Sequence, residues 1–161
     1  MLVNGIDKKI ADAHLHCRFV DKDLTRKMLD DVSSLGITDA CLQALPYRGA
    51  AENLFTLYIK MTQKQPDVRA FCGPHITDRY AKIAPEKQIE ALLKLGADGI
   101  KLMFSPDLQK YTGKALDDEY YEPMLDISRK MTCPCLFTLP TPRSFGTRVV
   151  RIAMAASRRR S

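Results

Sequence analysis

The chain has 161 residues, 45% of them apolar, and a formal charge of +6. Its length fits a single domain that buries roughly two-thirds of its unfolded surface. No apolar run reaches the ~20 residues of a membrane span, and the polar opening "MLVNGIDKK" is not a secretory leader, so the expected setting is cytoplasmic with no membrane partner. The charge is segregated. Residues 138–161, "TLPTPRSFGTRVVRIAMAASRRRS", contain six arginines and no acidic residue, leaving 19 basic against 19 acidic residues in 1–137. A globally basic nucleic-acid binder is therefore disfavoured, and only the tail remains as a basic segment.

In chain order, "KIADAHLH" predicts a strand with Asp12, His14 and His16 on one face. "DLTRKMLDDVSSLG" predicts a helix capped by Asp23, with Leu24, Met28, Val32 and Leu35 as its apolar stripe and Gly36 at its end. "ITDACLQAL" is a second strand. The helix after it, "AAENLFTLYIKMTQK", carries Leu54, Leu57, Tyr58 and Met61 on one face. "VRAFCGPHI" is a third strand. In "PEKQIEALLKLG", Pro85 opens a helix, Ile89, Leu92 and Leu93 point inward, and Gly96 closes it. "GIKLMF", the helix "EYYEPMLDISRKM" and the strand start "CPCLF" complete the series. These are about four and a half βα units with a parallel sheet, as in an incomplete (β/α)8 TIM barrel, in an α/β class. No Gly-rich phosphate loop follows any strand.

Two imidazoles at i and i+2 on a strand can share one divalent cation. His14 and His16 are the candidate metal ligands, and Asp12 is a candidate to orient one of them from behind. The plain alternative is two polar residues at a strand end. Other candidates for contact with an acidic substrate are Lys101, His75, Arg48 and Arg79, each also readable as a solvated or satisfied polar group. The five cysteines read as reduced and mostly packed thiols.

"ADAHLH" followed by this βα series, together with "GADGIKLMFSPDLQKYTGKALDDEYYEPMLDISRKMTCPCLF", resembles the amidohydrolase superfamily over residues 6–137, in its amidohydrolase-related branch of decarboxylases and lactone hydrolases. The resemblance implies the N-terminal half of a barrel, with His14 and His16 on a divalent cation, zinc first. It implies hydrolysis at C–N or C–O, or non-oxidative decarboxylation, of a small carboxylate. In some branches a carboxylated lysine at the position of Lys101 bridges two metals. In the branch favoured here that lysine contacts a substrate acid group.

The family pattern asks for histidine on the fifth strand, where this chain has Thr138, and for an aspartate on the eighth, which it does not supply. Family members continue past that histidine with text such as "HVADPEVFWD". One coding of it, read one base later, gives T-L-P-T-P-R-S-F-G-T, which is residues 138–147. Residues 138–161 are thus expected to be an out-of-frame or disordered tail, and the chain to be a truncated hydrolase with little or no turnover. The contrasting expectation is a non-catalytic metal-binding or oligomerising fragment, homo-oligomeric through its open edges, whose Arg-rich tail meets nucleic acid or an acidic surface.

Overall fold

The computed structural model describes the backbone of residues 2–3, 6–7, 9–17, 20–45, 50–75, 83–103, 113–115, 118–141 and 144–152, with side chains from 9 onward up to 135. Two short strands, β1 (Leu2–Val3) and β2 (Ile6–Asp7), form an antiparallel hairpin. Then follow β3 (Ile10–His16), α1 (Lys22–Ser34), β4 (Ile37–Gln43), α2 (Ala50–Thr62), β5 (Asp67–Cys72), α3 (Pro85–Lys94), β6 (Gly99–Met103), α4 (Glu122–Lys130), β7 (Cys135–Thr141) and β8 (Ser144–Ile152). The sheet order is β3-β4-β5-β6-β7-β8. Its first four pairings are parallel, between strands adjacent in sequence, and the parallel part curls into a half-barrel. β8 is antiparallel to β7, so residues 144–152 of the basic tail are a paired strand and β7 runs across the 137/138 boundary. None of the described helices is long and apolar enough to cross a membrane.

Strand alternation sorts the two faces. Ala40, Leu42 and Val68 pack with Leu29 of α1 and Ile59 of α2 on the helical side. Ile100 and Leu102 pack there with Ile89 of α3 and Met124 and Ile127 of α4. Gln43, Phe71 and Lys101 have the opposite parity and are buried on the concave side. Cys17, Cys72, Cys133 and Cys135 are buried on the helical side, and burial pushes the thiols of Cys17 up to about 11 and of Cys72 and Cys135 up to about 12. They are packing groups, not thiolates.

Three expectations need correction. Asp21, not Asp23, caps α1: its Oδ1 accepts the amides of Asp23 and Leu24, each at 2.9 Å. The buried face of α1 is Thr25 and Leu29, with Leu24 and Leu35 exposed. On α2 the inward residues are Glu52, Asn53, Thr56, Leu57 and Ile59, while Leu54, Tyr58 and Met61 face outward, Met61 at 80% exposure. Hydropathy misjudges α2 because its polar residues are needed inside, where strand ends leave backbone groups open. Glu52 Oε1 accepts the Leu45 amide at 3.0 Å. Asn53 brackets Gly73, accepting its amide at 3.1 Å and donating to its carbonyl at 2.8 Å. Thr56 Oγ1 lies 3.3 Å from Cys17 Sγ.

At the opposite end, the Asp98 carboxylate accepts the Ala70 amide and pairs with Lys60, both at 2.8 Å, which ties α2 and β5 to the turn before β6. Gly99 then opens β6 beneath the Phe71 ring. A Cβ there would lie 2.7 Å from the Pro134 carbonyl oxygen and closer still to the ring. Gly99→Ala is therefore expected to lower stability by about 1–3 kcal/mol in urea unfolding, through overpacking. An unchanged midpoint would show that β5 and β7 do not close on this residue.

Candidate metal centre

The register between β3 and β4 slips between Asp12 and Leu15: three residues advance on β3 while two advance on β4. Such an irregularity re-aims side chains and removes ladder bonds locally. Side chains replace those bonds. Asp12 Oδ1 accepts the His14 amide at 2.9 Å, and Gln43 Nε2 donates to the Ala13 carbonyl at 2.6 Å. The Asp12 contact given by this geometry is thus to the backbone of His14, and its hold on that ring is indirect.

Beyond the slip the two imidazoles turn toward each other. Their Nε2 atoms are 2.9 Å apart, with ring centroids at 4.8 Å and planes 72° apart. His16 Nδ1 lies 2.8 Å from the Gln43 carbonyl oxygen. A carbonyl only accepts, so His16 carries its proton on Nδ1. When neutral, its Nε2 is then a bare lone pair, and His14 Nε2 is the donor between the rings. A backbone carbonyl on the far nitrogen is a common way to orient a metal-bound histidine. Two nitrogens at ~2.0–2.1 Å from one ion stand roughly 3–3.5 Å apart, so a small ring rotation, with the His14 proton moving from Nε2 to Nδ1, converts the present contact into a chelating pair. The pair fits a cation as two ligands. A complete catalytic set needs a third, and among the described residues no three His, Cys, Asp or Glu side chains are grouped to hold an ion.

Lys101 lies on the same face, fully buried, with its Nζ bonded to Gln43 Oε1. At ~4.8 Å per strand, β4 and β6 are ~10 Å apart with β5 between them, a gap that two long side chains can span. Burial lowers the Lys101 ammonium to about 8. His14 is lowered to about 4, first by burial, then by the positive charges of Lys101 and His16. His14 is therefore neutral at physiological pH, the form that binds metals.

The structure brings His14, His16 and Lys101 together around Gln43. His75 is buried just beyond β5, and its described hydrogen bonds run to α3: Gln88 accepts its amide at 2.8 Å and donates to its carbonyl at 3.1 Å. Burial lowers its pKa. Arg48 and Arg79 lie outside the described residues, as does the loop "SPDLQKY". Thr138 pairs in register with Met103, two positions past Lys101. Sequence reasoning missed Gln43, although its parity with Cys41, opposite to Ala40 and Leu42, marks it as facing the concave side. No known protein family, curated protein or solved structure matches this chain.

The His14 shift has a signed consequence. Between about 4 and 6.5 the unfolded chain binds a proton at this position that the fold rejects, so stability falls as pH drops through that window. Urea midpoints are expected to decline from pH 7 to pH 4.5, and His14→Ala to flatten that slope. A parallel decline in the variant would show that His14 is not held neutral.

Proposed function

We propose that this chain is the opening half of a metal-dependent hydrolase barrel of the amidohydrolase-related kind, and that His14 and His16 hold a divalent cation, zinc first, without supporting turnover. The observation that carries the reading is the convergence of the two Nε2 atoms to 2.9 Å with His16 locked from behind by the Gln43 carbonyl. Supporting it are the position of the pair at the C-terminal end of the first strand of the parallel series, where barrel active sites lie, and a curled α/β half-barrel around it. A cation bound there would supply Lewis-acid polarisation of a carbonyl or of water.

The residues of this chain contribute orientation and charge. Gln43 fixes the His16 tautomer, Asp12 fixes the backbone of His14 at the slip, and Lys101 places a positive charge on the same concave face, suited to a carboxylate. Among the described residues no side chain stands in the place of the eighth-strand aspartate that takes a proton from water in the family pattern, and general-base help accounts for about 10²–10⁴ of such rates. On this reading the chain holds the cation without performing the parent chemistry, hydrolysis or decarboxylation of a small carboxylate.

Zinc titration of the full chain, followed by calorimetry, is expected to show saturable binding. His14→Ala and His16→Ala should each weaken it by more than the roughly 10–100-fold that loss of an outer-shell partner costs. Assays with lactone and amide substrates should stay at the background rate with zinc present. Absence of zinc binding would remove the metal reading, and zinc-dependent turnover would contradict the inactive state.

A further inference from the structure

We propose that two copies of this chain share one divalent cation through their His14–His16 pairs, each copy completing the site that the other leaves half built. The inference rests on the metal reading above and adds the partner and the stoichiometry.

Structural zinc takes four protein ligands and catalytic zinc three, whereas this chain groups two nitrogens and, among the described residues, no third candidate with them. The nearby polar groups have other work. The Asp12 carboxylate accepts the His14 amide, and the Lys101 ammonium donates to Gln43. Cys17 and Cys72 lie in clusters on the helical side of the sheet.

β3 is a terminal strand of the sheet, and among the described residues no element pairs with its outer edge. Along that strand Ala11 and Ala13 are exposed and small, and His14 and His16 are half-buried, whereas Gln43 and Lys101 further inward are sealed. The pair therefore stands at the open border of the concave face, where a second molecule can approach it. An ion deep in the sheet would be reachable only by this chain.

A two-fold axis through the ion brings two further imidazole nitrogens to it, four in all, with no residue from elsewhere. The second copy is thus the occupant that the ligand count itself selects.

The test uses the full chain, stripped of metal with EDTA and titrated with zinc, read by sedimentation and native mass spectrometry. The expected result is a monomer without metal and a dimer with zinc, holding one ion per two chains and saturating at half an equivalent. EDTA should return it to monomer, and His14→Ala and His16→Ala should stay monomeric at the same zinc concentration. The EDTA arm uses the native sequence, so it stands even if a variant folds poorly. A monomer carrying its own zinc would overturn the shared site while leaving the metal reading intact. A dimer indifferent to zinc and EDTA would overturn it too. No bound zinc at all would overturn both.

Discussion

Gln43 ends β4 with no exposed surface, yet its carbonyl and both polar ends of its side chain have partners on other strands. The carbonyl accepts His16, the amide nitrogen donates to Ala13 across the slip in β3, and the amide oxygen accepts Lys101 from β6. Leaving one such buried group unsatisfied costs about 1–3 kcal/mol, so the three bonds act as a strong constraint on how β3, β4 and β6 sit. Everything chemical on the concave face follows from it. The His16 tautomer, the direction of its unprotonated nitrogen and the fixed position of the buried Lys101 ammonium all depend on this residue.

Among the described residues the sheet is open at β3 and the grouped histidines number two. A closed barrel surrounds its ions with ligands from several strands, and closure removes sheet edges. Here the parallel series begins at β3, whose outer edge is unpaired among the described residues, and at its other end β7 turns back into the antiparallel β8. That hairpin covers one flank with backbone hydrogen bonds. The flank bearing the histidines is left available, which is why the ligand count and the sheet topology point to the same border of the molecule.

Much of this was legible in the sequence, and the failures have physical causes. Parallel βα order could be read because apolar strands and amphipathic helices alternate at regular length. Pro85 and Gly96 marked α3 correctly, Gly96 with a φ of 103° that other residues adopt at a cost. Helix faces were misread where buried polar residues serve backbone groups, as Glu52 and Asn53 do, since hydropathy counts them as outward. The β1–β2 hairpin was not anticipated, although Asn4-Gly5 between its strands is the residue pair that tight hairpins prefer. The histidine pair was visible as a spacing, but Gln43 was not: its role comes from a register slip and a contact 27 residues away. Strand parity marks the face on which Gln43 lies, but its partners, distant in sequence, leave no local mark.

A prearranged histidine pair requires particular ring nitrogens to carry the protons, and long-range ¹H–¹⁵N correlation spectra of the metal-free chain at neutral pH report this for each histidine. The prediction is His16 protonated on Nδ1 with a bare Nε2, and His14 protonated on Nε2. A His16 ring protonated on Nε2 with Nδ1 bare, or one averaging between both tautomers, would mean that the Gln43 carbonyl does not hold it and that no prearranged pair exists.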